Sequence, residues 1–327
     1  PEALDIIGQE VKPVNVAVLD TGSPYAVDPA FTRSIFDTQW GWDMVDNDAL
    51  ADDDEFPNGS FSHGTHVGST ISMLNDGLDG NGMAARVTPI RVCAGGCPGS
   101  ATYGAYLYLN GDANDSLTTF AQRSAGQKLH SVNMSYGGSG GSATSASCVK
   151  LGELADKGVL IASSSGNSGI GSVGWPSSCP KVYSVGATNG TDRRSSYSST
   201  NEYVAFSAPG GEYSDWNADG IDDLVYAYAR DNSYVQSTNN GNPMIGAQGT
   251  SMASPHGAGF LGLIKYYYED IVKPFESNTT LPSLLTYVEV DKMLAANLLT
   301  NDVNKEERPN DSVARPGWDE HLGYGII

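Results

Sequence analysis

The sequence predicts an α/β protein whose parallel sheet is covered by helices. Apolar runs rich in β-branched residues recur along the chain, and each is followed by glycine-rich or helix-like sequence. Runs that are apolar at every position suit strands buried on both faces, as in a parallel sheet with helices above and below. The 327 residues are enough to bury such a core.

In chain order the expected strands fall at 14–19, 87–92, 131–134, 159–162, 182–185 and 203–206. Residues 257–268 read as an apolar helix, and Cys148 opens another helix-like segment. Two polar stretches break this rhythm. Six of the ten residues from 46 to 55 are acidic, and 210–242 is long and polar. Both are read as surface insertions, near 43–55 and 210–242, in a single domain spanning 1–327. The glycine and serine patch at 137–141 reads as a flexible loop.

Composition narrows the function classes. Hydrophobic residues make up 39% and charged residues 17%, which excludes a disordered tail or a coiled coil. No apolar run nears the ~20 residues that span a bilayer. Eighteen basic against 38 acidic residues give a net charge of −20, which repels phosphate backbones and anionic lipid. Nucleic-acid and membrane partners are therefore not expected, whereas the acid excess suits cation binding. The opening Pro1-Glu2-Ala3, without Met or an apolar leader, is read as a mature form whose targeting segment is gone. Cys93, Cys97, Cys148 and Cys179 lack the spacing and neighbouring histidines of a zinc site. Disulfides in an exported protein are expected, with three pairings open.

Acyl transfer needs a hydroxyl, a histidine to take its proton, a carboxylate to orient that histidine, and donors for the oxyanion. Five histidines make the search short. His63 lies in HGTHVG, where small residues let a helix start close to other backbone. Ser251 lies in GTSMASPH just before an apolar helix, so its N–H and the helix dipole favour developing negative charge. Asp20 ends the run VAVLD before Thr21-Gly22, at the carboxyl edge of a strand where open α/β sheets place their sites. Each alone could be a cap, a turn residue or a structural histidine.

Together, VAVLDTG, HGTHVG and GTSMASPH in the order Asp20, His63, Ser251 resemble the subtilisin-like serine protease family. That resemblance implies a three-layer fold with a central, mostly parallel sheet, and a secreted, monomeric endopeptidase that cleaves extended polypeptides through an acyl-enzyme. It assigns Asp20, His63 and Ser251 to the triad and, from the segment ending in Gly166-Asn167, gives Asn167 a place in the oxyanion hole. The segment Ser135, Tyr136, Gly137 resembles one wall of the primary specificity pocket, with Ser165 and Gly166 opposite. Gly174, before Trp175-Pro176 where the family often has a cis proline, resembles the pocket bottom, whose small residue would leave room for a large apolar P1 side chain. Residues 321–325 resemble the segment that closes the catalytic domain. A propeptide or proteinaceous inhibitor is an implied partner.

Three competing readings are weaker. An esterase elbow would have to be residues 137–141, which no apolar helix follows. His63 and His66 lack the further ligands of a metal site. A catalytically inactive, binding-only relative would normally have lost a triad residue, and none is missing.

Calcium is the expected cofactor. Asp215, Asn217, Asp219 and Asp223 stand at loop positions 1, 3, 5 and 9, with Gly220 at 6 and the Ile221 carbonyl at 7, although Tyr226 replaces the closing glutamate. Resemblance to the thermitase-like branch implies a second site at Asp43, Asp46 and Asp48 with Asp52, and family likeness a third at Asp76 with Asp28. The resemblance also pairs the cysteines: Cys148–Cys179 would brace the primary pocket. Cys93–Cys97 would then close a small ring at the substrate-binding edge.

Overall fold

The computed structural model describes residues 14–23, 36–53, 61–73, 85–112, 127–139, 141–216, 218, 220–229, 237–239, 242–275, 282–300 and 318–327. The chain, expected as one domain, divides into two interleaved compact units, 1–132 with 226–246 and 133–225 with 247–327.

In the first unit β1 (Val14–Asp20), apolar except for Asn15 and Asp20, is buried along its whole length. It is followed by the two-residue strand β2 (Trp42–Asp43) and by β3 (Ala85–Arg91). The pairing is parallel, with Val14 opposite Ala85, Asp20 opposite Arg91 and Asp43 also opposite Arg91. Asp20 therefore stands at the carboxyl end of its strand. Helix α1 (His63–Met73) packs on β1 and β3, and α2 (Gly99–Asn110) ends at Gly111 in the left-handed conformation. The chain enters the second unit inside β4 (Ser131–Met134), all of whose residues are buried.

The second unit contains α3 (Ala146–Asp156), β5 (Leu160–Ser164), β6 (Tyr183–Thr188) and β7 (Val204–Pro209). Strand β6 pairs in parallel with both β5 and β7, with a register shift between Ser184 and Val185. The expected runs thus appear, displaced by one to three residues where strand ends are set by pairing. The polar stretch read as an insertion contributes strands. β8 (Val225–Tyr228), β9 (Ser237–Asn239) and β10 (Asn242–Ala247) form a small sheet in the order β8-β10-β9. Its β9–β10 pair is antiparallel, which period and apolarity did not reveal.

Helix α4 (Thr250–Tyr266) packs on β5, β6 and β7 and begins one residue before Ser251. Its far end is fixed by a buried pair, Lys265 with Glu269. Lys265 also donates to Leu285 O (3.0 Å), and Glu269 accepts from Leu285 N (2.6 Å), which holds the segment leading to α5 (Tyr287–Ala295). Thr286 and Glu289 form a capping box at the start of α5.

Candidate active site

In the first unit the carboxylate and the histidine meet. Asp20 Oδ1 accepts from His63 Nδ1 at 2.7 Å, and because a carboxylate only accepts, the proton is on Nδ1. Asp20 Oδ1 also takes the Thr21 N–H (2.8 Å). His63 opens α1, and the following N–H, of Gly64, donates to Thr21 Oγ1 (3.0 Å), which itself donates to Asp53 Oδ2 (2.8 Å). A Cβ at Gly64 would stand 2.6 Å from Gly22 O, so only glycine lets this helix start so near the strand end. Burial works against a charged His63. The Asp20 charge, its hydrogen bond and, more weakly, Asp53 outweigh that penalty and hold the imidazole pKa above the ordinary histidine value.

The other histidines have structural bonds. His66 is fully buried with Nε2 on Ile245 O (3.1 Å). His256 gives Nδ1 to Met252 O (2.9 Å), and burial lowers its pKa despite that bond.

In the second unit the first turn of α4 is locked to the segment after β4. Pro255 has no N–H for the carbonyl four residues earlier, which belongs to Ser251. The Ser135 hydroxyl takes that acceptor at 2.8 Å, and the Ser251 hydroxyl donates back to Ser135 O at 3.1 Å. Asn133 ties both ends, donating to Ser135 Oγ (2.9 Å) and accepting from Ser254 Oγ (2.7 Å).

Asn167 is exposed, yet its amide is fixed in orientation. Oδ1 accepts from both the N–H and the hydroxyl of Thr250 (2.9 Å each), so Nδ2 is the face left to donate. Thr250 Oγ1 is itself held by Gly166 N–H (3.1 Å). Thr250 lies inside the GTSMASPH motif, but nothing in its spacing announces this task.

The expected pocket segments also come together. Gly138 and Trp175 exchange two backbone bonds of 2.9 Å, which sets Tyr136 and Gly137 beside Gly174, and Trp175–Pro176 is cis. Ser165 is held by Val185 O (3.0 Å) and Ser199 O (3.1 Å). One expectation needs correcting. A Cβ on Gly174 would lie 2.8 Å from Ser165 O, so this glycine serves close backbone packing of two segments rather than open space for a side chain.

Both expected cysteine pairs are within disulfide distance. Cys148, in the first turn of α3, joins Cys179, which follows the Pro176 turn, and both are buried. Cys93 and Cys97 close a short ring just past β3, where Val92 and Cys93 donate to Asp20 O.

The acidic residues fit calcium less well. Arg91 is only 3% exposed, and its Nη1 reaches Asp43 at 2.7 Å and Asp46 at 2.6 Å. Asp43 Oδ1 is further occupied by the N–H groups of Val45 (2.7 Å) and Asp46 (2.9 Å). A guanidinium thus takes the place expected for calcium, because strand register sets Arg91 opposite Asp43. Asp48 Oδ1 accepts from Leu50 N (2.8 Å), and the backbone of Asp52 bridges to Ser23. Asp53, counted in the acidic surface stretch, is buried behind Thr21 and escaped sequence reasoning altogether. In the other loop Asp215 accepts from Gly220 N and Asp223 from Trp216 N, 2.8 Å each, while Ile221 is exposed. Asn217, Asp219, Asp28 and Asp76 lie outside the described residues. Among the described residues no three His, Cys, Asp or Glu side chains gather into a metal site.

Comparison with known proteins gives the class first. A solved protease from Pseudoalteromonas arctica superposes with a TM-score of 0.68 at 24% identity, covering 100% of this chain and 90% of its own. The fold is therefore the subtilisin-like α/β architecture on a parallel sheet. The Subtilase family pattern matches residues 12–325, and the chain belongs to that family. Alkaline elastase YaB of Bacillus sp. (strain YaB) is 34% identical over 203 residues, 62% of this chain and 44% of the relative. Subtilisin Savinase of Lederbergia lenta is 30% identical over 255 residues, 77% of this chain and 76% of the relative. The chain spans about half the length of most curated relatives it matches. No helix among the described residues is long and apolar enough to cross a membrane.

Proposed function

We propose that this chain is a secreted, monomeric serine endopeptidase that hydrolyses extended polypeptides through an acyl-enzyme. The observation that carries the reading is the 2.7 Å Asp20–His63 pair in a chain matched to the Subtilase family over residues 12–325. Ser251 Oγ bonds to the scissile carbonyl carbon while its proton passes to His63 Nε2, and Asp20 stabilises the imidazolium that results. The carbonyl oxygen, now an anion, is met by Asn167 Nδ2 and the Ser251 N–H at the positive end of α4. Collapse breaks the C–N bond, and His63 returns the proton to the leaving amine. Water then repeats the sequence on the ester. Ser135, Tyr136, Gly137, Ser165, Gly166 and Gly174 border the primary pocket. A propeptide or protein inhibitor would bind as a substrate mimic.

Treating the protein with a biotinylated fluorophosphonate and mapping the adduct tests this. A single label at Ser251, abolished by prior boiling, is expected; a label elsewhere overturns the assignment.

Calcium is retained in the proposal for the 215–223 loop, where sequence spacing is its support, and not for Asp43 and Asp46. A cation held there at ~100 times its dissociation constant would add about 2.7 kcal/mol to folding stability. With the protease inhibited, EDTA is expected to lower the melting temperature and Asp215→Ala to remove part of that difference. A melting curve indifferent to EDTA excludes calcium.

A further inference from the structure

The two oxyanion donors of the proposed site lie on different segments, and one residue outside the expected site bonds to the first directly and reaches the second through the Gly210 carbonyl. The carbonyl of Tyr197 accepts from Gly169 N–H (3.0 Å), two residues past Asn167. Its hydroxyl is shared between Gly210 O (2.8 Å) and Gly211 O (2.7 Å). Gly210 O also accepts from Gly249 N–H (2.9 Å), two residues before Ser251. The carbonyl of Gly249 then receives the N–H groups of Met252 (2.9 Å) and Ala253 (3.3 Å), at the start of α4. We propose that Tyr197 is a positioning residue for the oxyanion hole, its backbone holding the Asn167 segment and its hydroxyl fixing the Gly210 carbonyl on which the Gly249–Ser251 segment hangs. This rests on the proposed roles of Ser251 and Asn167 and deepens them.

The loop around Tyr197 is built for such a task. Ser199 N–H donates to Gly166 O (2.9 Å), and Ser168 N–H to Ser199 Oγ (3.1 Å), so the Asn167 segment is held on both sides. On the other side, Ser195 Oγ donates to Gly211 O (3.0 Å), and Glu212 accepts from Ser196 N (3.0 Å) and Asn189 Nδ2 (3.1 Å). There is little slack at the junction, because a Cβ on Gly210 would meet Gly249 O at 2.9 Å and the Tyr197 hydroxyl at 3.0 Å. Burial pushes the Tyr197 pKa up to about 12, so the hydroxyl stays a donor through the range in which a histidine base becomes neutral. Phenylalanine would keep the ring's packing and orphan neither carbonyl, since Gly249 N and Ser195 Oγ still reach them. The loss is one of placement rather than of a satisfied bond.

The test compares wild type, Tyr197→Phe, Asn167→Leu and the double variant, each with its fluorophosphonate adduct mapped. One hydrogen bond's worth of placement is expected to lower kcat about five- to tenfold in Tyr197→Phe, with KM within about twofold. Binding of an N-blocked peptide boronic acid, which forms a tetrahedral adduct, should weaken by a similar factor. In the Asn167→Leu background the additional loss should fall below about twofold, because one of the two donors being aligned is gone. An unchanged kcat in Tyr197→Phe, or a full loss repeated in the double variant, overturns the clamp while leaving the site standing. A wild-type adduct at any residue but Ser251 overturns the site, and the clamp with it.

Discussion

The Asp20–His63 pair and the Ser251–Asn167 pair are held by different physics. The first is electrostatic: a buried carboxylate at a strand end, an imidazole at a helix start, and Asp53 behind Thr21 adding further negative charge. The second is neutral. Ser251 is fixed by reciprocal bonds with Ser135, and Asn167 by a threonine that saturates one end of its amide. In the proposed mechanism, charge in the first pair sets when a proton moves, whereas dipoles in the second set where negative charge settles. Substitutions in the first should therefore change pH dependence, and those in the second should change rate without it.

Replacing Ser251 by Ala breaks the comparison altogether, since no other hydroxyl replaces the nucleophile. A loss in kcat on the order of 10⁶ is expected, the scale known for the triad serine of subtilisin, itself a relative of this chain. The fold should survive, as judged by an unchanged melting temperature to within a few degrees.

Asp20→Asn should cost about 10⁴ in kcat, because an amide favours the wrong tautomer of His63. It should also move the acidic limb of the rate profile. In the native protein the raised His63 pKa means that kcat/KM climbs as pH rises through a value above 6.5. Without the carboxylate, burial is left as the main influence and the limb should shift to lower pH. Stability runs the opposite way. The folded state binds this proton more tightly than the unfolded chain, so the pair stabilises fully below the unfolded value near 6.5. That contribution is lost as pH rises through the folded value. Melting temperatures across pH 5 to 9 would check the sign; a limb that does not move in Asp20→Asn contradicts the electrostatic account.

Asn167→Leu should lower kcat about 10²-fold with KM and the pH limb nearly unchanged, since its amide acts when the oxyanion forms. A parallel rise in KM would mean ground-state binding instead. The smallest effect is expected at His256, whose bond to Met252 O is local: His256→Gln should alter kcat by less than about threefold. A loss comparable to that of His63→Gln would show that the base had been assigned to the wrong histidine.

The motifs around Asp20, His63, Ser251 and Asn167 were legible because each is local. A strand-ending aspartate, a helix-starting histidine and a serine at a helix N-terminus are properties of five to ten neighbouring residues. The six expected strands were legible for the same reason, since burial on both faces makes a short run mostly apolar. What joins distant segments was not. The small sheet of β8, β9 and β10 lacks such a run, and its pairing comes from residues brought together by the fold.

Among the site's supports, Asp53 looked like one more surface acid and is buried behind Thr21, the neighbour of Asp20. The sequence by itself determined which hydroxyl, imidazole, carboxylate and amide the proposed site draws on, and on which kind of element the first three stand. Only the tertiary structure decided which cation answers Asp43 and Asp46, why Gly174 must be small, and which loops Tyr197 joins. Arg91 reaches Asp43 through strand register, Ser165 O fills the space beside Gly174, and Tyr197 bridges loops more than twenty residues apart in sequence. Each outcome depends on distance through space, which a hydrogen bond or an ion pair feels and a local sequence pattern does not encode.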